Sequence, residues 1–435
     1  MDELLKNTGL TPEVLKDPSE RTAAIEEYNA RVGGLRALMR EGKLEIADTH
    51  VIPAHVSAQE VTRYLKFIGE GKRAPIVFAA GRATRMKLPS FFDSLGIAGL
   101  TGNILAHINF LREGENASAQ KLESDAELRS LVEAASQDKP RQLEELSLLQ
   151  RQLLQYRYQT EKLISEHPAA GVTLRNWLAK ASFVVVTNEA NHSALSHQLD
   201  AVGYAGLKPA NIFLTQQGEV GGLEVLLDGA TRPFDSEVWP EGHGKPFMDL
   251  GADGLLEKLT AKGVERATFA QVNDLHLLED MAHVERWVAA DALIASGAEM
   301  VMEMVENGLS QKGGGIFRSS DGNTVMRDTI AMKTSDLEPY SIPRSLSRMF
   351  YELTLDGLSK LYPGTLPAYI TERAVSGGKT VLTQEFYSGD ASGVLKASAI
   401  QKKGYALDTF KIQSRIPHTL EALRKQDAQP GFKSW

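Results

Sequence analysis

Short runs of apolar residues alternate with segments of helical periodicity along most of this chain. Over the first 70 residues, apolar positions recur at spacings of three and four, which predicts helices; they are Ala23, Ile25, Tyr28, Val32, Leu35 and Leu38. Further on, short apolar runs predict buried strands of a mostly parallel sheet, at residues 72–81, 182–187, 211–215, 267–272 and 299–305. Alternation of such strands with helices is typical of an α/β fold.

The same pattern predicts three regions. We expect a helical N-terminal segment at residues 1–70, a sheet-forming domain at residues 71–335 and a smaller C-terminal domain at residues 336–435. A proline-punctuated stretch at residues 338–343 is typical of a linker between the last two.

A helical insertion is expected within the sheet domain at about residues 113–180. Apolar side chains mark one of its faces, with Gln and Arg on the rest; they are Leu143, Leu146, Leu149, Leu153, Tyr156 and Leu163. One interpretation is a helical hairpin packed on the body of the protein. The other is a surface for self-association or for a protein partner, because leucine seams also pair helices.

Composition excludes several classes of function. There are 48 Lys and Arg against 56 Asp and Glu, a net charge of -8, so no overall basic field attracts nucleic acid or an anionic membrane. The absence of cysteine excludes disulfides, zinc–thiolate and iron–sulfur sites and a cysteine nucleophile. The sequence has neither a signal-peptide core nor a run of about 18 apolar residues, and we expect a cytoplasmic protein without membrane partners.

The loop after the first predicted strand is a candidate phosphate-binding site. Its sequence is AAGRATRMKLP, residues 79–89. Small residues allow a ligand to approach the backbone closely, and Arg82, Arg85 and Lys87 favour a phosphate chain. The alternative is an ordinary basic turn.

Four segments far apart in the chain occur in an order that matches one protein family. They are residues 78–86 (FAAGRATRM), 203–218 (GYAGLKPANIFLTQQG), 240–244 (PEGHG) and 312–325 (KGGGIFRSSDGNTV), with Asn273-Asp274 before the last. In turn they resemble the nucleotide loop, the NVxFFQQG segment, the PxG[NH]G base and sugar loop and the KVG hairpin of the UDP-sugar pyrophosphorylases. This family includes UDP-N-acetylglucosamine pyrophosphorylase and UTP-glucose-1-phosphate uridylyltransferase, and Asn273-Asp274 falls where it has its metal-binding Asp-Asn pair.

The resemblance implies a twisted, mostly parallel sheet of the nucleotide-diphospho-sugar transferase (GT-A-like) type. It also implies Mg²⁺-dependent transfer of a uridylyl group from UTP to a sugar 1-phosphate, with release of pyrophosphate. Arg85 and Lys87 would be catalytic, and Asp274 would bind Mg²⁺. The nucleotide would be bound by Ala80, Gly81, Arg82, Thr84, Gln216, Gln217, Gly242 and His243.

These assignments agree with the chemistry, although alternatives stay open. Nucleotidyl transfer needs an in-line phosphate and neutralised charge, and a strand-end carboxylate such as Asp274 is a usual Mg²⁺ ligand. Asp274 is alternatively a helix N-cap. The side chain of His243 points into a cleft, or the residue merely forms a turn. Only one of Gln216 and Gln217 is expected to face the base, because side chains alternate along a strand.

Departures from the family pattern affect the phosphate and sugar sides. Glycines of the nucleotide loop are replaced by Ala80 and Ala83, and a phosphate-contacting lysine falls at Ser90. Arg327 stands where the family has its sugar-contacting glutamate, and His418 stands where it has a late lysine. Residues 341–345 replace the family's sugar loop. The alternative function is therefore a catalytically impaired UTP- or UDP-sugar-binding protein whose helical insertion binds a partner. A GT-A glycosyltransferase would also have the expected fold, but the sequence has no convincing DxD metal-binding motif.

Overall fold

The structure is a computed structural model that describes most of the chain. The described residues are 8–33, 45–47, 49–53, 55–81, 88–113, 119–137, 139–274, 277, 281–306, 314–319, 322–327, 345–406, 416–429 and 432. The strands are β1 (Glu45–Ile46), β2 (His50–Val51), β3 (Arg73–Phe78), β4 (Phe183–Thr187), β5 (Ile212–Gln216), β6 (Glu219–Val225), β7 (Thr231–Pro240), β8 (Arg266–Gln271), β9 (Met300–Glu306), β10 (Gly315–Arg318), β11 (Thr324–Arg327), β12 (Ser345–Thr354), β13 (Tyr369–Val375), β14 (Lys379–Glu385) and β15 (Ala397–Ala406). The α-helices are α1 (Pro12–Lys16), α2 (Pro18–Val32), α3 (Ala58–Gly69), α4 (Gly102–Glu113), α5 (Ala119–Ser124), α6 (Ala126–Gln137), α7 (Leu148–Glu166), α8 (Leu174–Lys180), α9 (His192–Ala201), α10 (Lys245–Ala252), α11 (Leu255–Ala261), α12 (Ala282–Ala295), α13 (Leu355–Leu358) and α14 (Ile416–Asp427).

An eight-stranded sheet forms the centre of the molecule, in the order β2-β15-β9-β12-β8-β3-β4-β5. All neighbours are parallel except those of β12, which runs antiparallel to β8 and β9. The prediction of a mixed α/β fold with a mostly parallel sheet is confirmed. Every residue of β3 and β4 is buried, which explains why both strands, apart from Arg73, consist mainly of apolar and small residues.

Two smaller sheets flank the central one. β13, β14, β6 and β7 form an antiparallel sheet of four strands, and β1, β10 and β11 form one of three. The N-terminal helix α2 packs on β13, where Asn29 Nδ2 donates to the Ile370 carbonyl at 2.8 Å and Arg21 pairs with Glu372 at 2.7 Å. Helices in the N-terminal segment were predicted; their docking on a strand of the C-terminal region was not.

The boundary expected near residue 336 does not separate two sheets. β12 and β15 lie inside the central sheet, and β13 and β14 complete the sheet that begins with β6 and β7. The sequence pattern hides β12 because two of its buried residues are charged. Arg348 and Glu352 are at most 1% exposed and are paired with charged partners from other elements.

The helical insertion packs on the body of the protein, as the first interpretation predicted. Its leucine face lies in the core, with Leu146, Leu149, Leu153, Tyr156 and Leu163 at most 2% exposed. The polar face of α7 is buried too: Arg151 pairs with Asp427 of α14 at 2.6 Å, and Gln152 Nε2 donates to the Val272 carbonyl at 2.7 Å. This leucine face is therefore not available to a partner. Within the described part of the chain, no helix is long and apolar enough to cross a bilayer.

Candidate functional site

A cavity of about 200 Å³ opens where β3, β5 and β8 end. Its walls come from these strand ends, from the turn after β7 and from β12. The lining residues are Phe78, Ala80, Gly81, Ile97, Gln217, Pro240, Gly242, His243, Gln271, Val272, Asn273 and Met349. Because ligands of open parallel sheets bind at the carboxyl ends of the strands, this cavity is the candidate site.

Ala80 and Gly81 leave β3 along one wall of the cavity. Two buried asparagines of the turn after β4 fix this exit: Asn188 Nδ2 donates to the Ala80 carbonyl at 2.7 Å, and Asn191 Nδ2 donates to the Ala79 carbonyl at 2.9 Å. The Gly81 carbonyl accepts from the Ile97 amide at 3.1 Å. The backbone at the start of the loop is thus held on both sides.

The continuation of that loop lies outside the described residues. Arg82, Thr84, Arg85 and Lys87, which were assigned to the phosphates, belong to this part of the loop. Residues 341–344 and the side chain of His418, elsewhere in the chain, also lie outside the described residues. Ser90 is described: it is exposed and begins the 3₁₀-helix Ser90–Phe92. No Lys or Arg is among the described residues that line the cavity.

Of the two glutamines at the end of β5, Gln217 faces the cavity and Gln216 is exposed. Gln217 Nε2 donates to the Gly242 carbonyl at 2.5 Å, and its backbone amide donates to the Thr187 carbonyl at 2.7 Å. The side chain therefore links the end of β5 to the turn after β7. Strand alternation predicted that one glutamine would face inward, and the structure identifies it.

Gly242 and His243 form the opposite wall. Gly242 has φ +84°, and a Cβ there would lie 2.4 Å from the Phe386 carbonyl oxygen, so only glycine fits. The Ser388 amide donates to His243 Nδ1 at 3.0 Å. Ser388 Oγ lies 2.8 Å from the same nitrogen, so Ser388 holds the imidazole by its Nδ1 side.

Lys245, at the start of α10, is a cation close to this wall, but it is already paired. Its Nζ lies 2.7 Å from Asp249 Oδ1 and 3.7 Å from Glu241 Oε2. Burial raises the pKa of both Glu241 and Asp249, and Lys245 only partly offsets this effect. Burial alone would lower the pKa of Lys245, but the two carboxylates outweigh burial and raise it.

Asp274 follows the cavity-lining Asn273 and is paired with an arginine. It is 1% exposed, and its Oδ1 accepts a hydrogen bond from Arg348 Nη2. No group of three or more His, Asp or Glu side chains in the described ranges is arranged to hold a metal ion. The alternative of a helix N-cap at Asp274 concerns the segment from Leu275, of which residues 275 and 276 lie outside the described residues.

Sequence reasoning missed the residues that support the site. Asn188 and Asn191 carried one recognisable signal, since they follow the end of a buried strand. Ser388, Met349 and Gln152 carried none, because they reach the cavity or its neighbours only through tertiary packing.

Comparison with solved structures gives the class of fold. The chain matches a protein assigned as UDP-N-acetylglucosamine pyrophosphorylase from Entamoeba histolytica, with a TM-score of 0.58 and 16% identity over 83% of this chain and 80% of that one. It matches a UDP-glucose phosphorylase from Trypanosoma brucei, with a TM-score of 0.54 and 14% identity over 84% and 68% of the two chains. A variant of the UDP-glucose pyrophosphorylase from Leishmania major gives a TM-score of 0.52 and 14% identity over 83% and 67%.

No family model and no curated protein sequence matches the chain. The chain nonetheless shares the fold of these solved structures. In particular, the resemblance to UDP-sugar pyrophosphorylases that the sequence motifs indicated is confirmed at the level of the fold, with low identity that fits a divergent chain.

Proposed function

We propose that this chain is a nucleotidyltransferase that moves a uridylyl group from UTP to a sugar 1-phosphate and releases pyrophosphate. The observation that carries this proposal is the cavity itself. Ala80 and Gly81, Gln217, and Gly242 with His243 come from three distant motifs and line one space. If the three motifs resembled the family only by chance, there would be no reason for their residues to line the same cavity.

The chemistry of the cavity supports a pyrimidine base. Gln217, Gln271 and Asn273 are amides, each of which offers both a donor and an acceptor, as the uracil edge does. A cavity of about 200 Å³ is below the usual range for a whole ligand and suits one ring. The sugar and the phosphates would then lie outside it, towards the exit of β3.

The transfer itself requires mainly positioning. An oxygen of the sugar phosphate attacks the α-phosphorus of UTP, the bond from that phosphorus to the β-phosphate bridging oxygen breaks, and pyrophosphate leaves. We propose that Arg85 and Lys87, with Arg82 and Thr84, bind the phosphates. We assign no step to a metal at Asp274, because its Oδ1 accepts a hydrogen bond from the guanidinium of Arg348.

Two observations favour the second candidate, a UTP- or UDP-sugar-binding protein with impaired transfer. The lysine position of the family pattern is the exposed Ser90. Arg327, at the sugar-contacting position, donates from Nε to the Gly33 carbonyl at 2.9 Å and lies 3.4 Å from Asp390. Ser90 removes a contact expected with the phosphates, and Arg327 removes one expected with the sugar. Neither residue lines the cavity assigned to the base.

A pyrophosphate-release assay separates the two candidates. UTP is offered with glucose, galactose, N-acetylglucosamine and glucuronate 1-phosphates to the wild type, Lys87→Ala and Ser90→Lys, with Lys121→Ala on the exposed face of α5 as a control. Transfer that falls at least about tenfold only in Lys87→Ala supports the enzyme. UTP binding without turnover in any variant supports the binding protein.

A further inference from the structure

Four charged side chains form an ion-pair network directly behind the cavity. Arg286 lies on α12, Glu303 on β9 and Arg348 on β12, and Asp274 follows β8. Arg348 donates from Nη2 to Asp274 Oδ1 and from Nη1 to Glu303 Oε1, the second bond at 2.8 Å. Arg286 donates to both oxygens of Glu303. All four side chains are at most 2% exposed.

The network is electrically balanced. Two guanidinium groups face two carboxylates, so no net charge is buried. Burial by itself would raise the pKa of Glu303, but Arg286 and Arg348 outweigh it and lower that pKa to about 2. The carboxylate therefore stays charged at neutral pH, and removing any one member would leave an uncompensated buried charge.

A divalent ion at Asp274 conflicts with this arrangement. Mg²⁺ requires nearly octahedral oxygen ligands and usually keeps several of its waters. Asp274 is 1% exposed, which leaves no room for those waters. The ion would also add two positive charges beside the guanidinium of Arg348, in a region whose charges already cancel.

We propose that Arg348 takes the place of a divalent cation at Asp274, so that the chain binds its nucleotide without a metal ion held by this carboxylate. That the ligand is a nucleotide rests on the proposed function, whereas the ion pair between Arg348 and Asp274 does not depend on it. Any Mg²⁺ that accompanies a triphosphate is then held by phosphate oxygens and not by Asp274.

Mn²⁺ serves as the test metal, because its binding is read directly by electron paramagnetic resonance. Free Mn²⁺ is titrated into the wild type and into Asp274→Asn, which keeps an acceptor for Arg348 but removes the charge that a metal needs. UTP affinity is then measured with Mn²⁺ present. Asp253→Asn, an exposed carboxylate bonded to Thr215, is the matched control.

We expect Asp274→Asn to bind Mn²⁺ and Mn²⁺-UTP within about twofold of the wild type. A fall of tenfold or more that the control does not show would overturn the proposal. If UTP binds to none of these proteins, the proposed function fails, while the titration with Mn²⁺ alone still decides whether Asp274 holds a metal.

A stability cycle tests the pair itself. Arg348→Met and Asp274→Leu each leave a buried charge, and we expect each to lower Tm by roughly 5 to 10 °C. The double variant replaces the pair by apolar side chains, and we expect it to recover at least half of that loss. If the Tm of the double variant is no higher than that of the less stable single variant, the ion pair between Arg348 and Asp274 is contradicted.

Discussion

Asn188 Nδ2 donates to the carbonyl oxygen of Ala80 at 2.7 Å, although 108 residues separate the two. The bond is possible because β3 and β4 are parallel neighbours, so the turn after one strand meets the exit of the other. Asn188 Oδ1 accepts a hydrogen bond from the Asn191 amide at 2.9 Å, and Asn191 Oδ1 accepts one from the Asn188 amide at 3.0 Å. This pair fixes the start of the candidate phosphate loop before any ligand arrives.

We therefore expect Asn188→Leu to weaken UTP binding at least about fivefold and to destabilise the fold by about 3 kcal/mol, because it leaves buried backbone groups without partners. Urea unfolding and calorimetric titration measure the two effects.

Asn29→Leu is the matched control for this variant. Asn29 is also buried and exchanges two hydrogen bonds with the backbone of Ile370, far from the cavity. It should lose similar stability with unchanged UTP affinity. Equal losses of affinity in both variants would mean that Asn188 acts only through global stability.

A second prediction concerns Gly242. Gly242→Ala introduces a Cβ at φ +84° that meets the Phe386 carbonyl, so the turn after β7 must shift. Gly364 has φ +95° with no atom within 4 Å, so Gly364→Ala carries the strain of the backbone angle without the clash. We expect about 1 kcal/mol of destabilisation from the control and at least about 2 kcal/mol more from Gly242→Ala. Chemical denaturation measures both, and equal costs would contradict the close approach.

Paired substitutions of His243 separate its two nitrogens. His243→Asn keeps an acceptor near the Nδ1 position for the Ser388 amide, whereas His243→Gln places a donor near the Nε2 position. If Nε2 contacts the ligand, His243→Asn should retain Tm but bind UTP about tenfold more weakly, and His243→Gln should lose Tm and bind better than His243→Asn. The reverse ranking in a combined thermal-shift and titration experiment would contradict an arrangement in which Ser388 holds the Nδ1 side and the ligand contacts the Nε2 side.

The Glu303 carboxylate predicts a pH dependence of stability. Its pKa in the folded protein is about 2, below the ordinary 4.5, so its stabilisation is present above about pH 4.5 and is lost as the pH falls towards 2. Between pH 6 and pH 3 the free energy of unfolding should fall by about 2 kcal/mol more in the wild type than in Glu303→Gln. Urea titrations at the two pH values provide the measurement, and parallel losses would contradict it.

The sequence predicted the strands that are visible as apolar runs in the local sequence. β3, β4, β8 and β9 appear as apolar runs because both faces of the central strands are covered, whereas the edge strand β5 is an apolar run although it is only half-buried. β12 was missed because its buried Arg348 and Glu352 are compatible with the core only through partners on other elements. For the same reason, α7 appeared half exposed although Arg151 and Gln152 are buried and bonded.

The candidate site divides in the same way. Gly81, Gln217, Gly242 and His243 lie in short motifs whose backbone or side-chain chemistry is visible in the sequence, and all four line the cavity. The ion pair of Asp274 is formed with Arg348, 74 residues away, which no local pattern could indicate.

Calorimetric titration of UTP and ATP into the wild type, with Mg²⁺ present, tests the central claim most directly. An amide-lined cavity of about 200 Å³ that fits a pyrimidine should exclude a purine, so we predict that UTP binds at least about tenfold more tightly than ATP. ATP binding as tight as that of UTP, or no binding of either nucleotide, would contradict the assignment of this cavity to the uracil base.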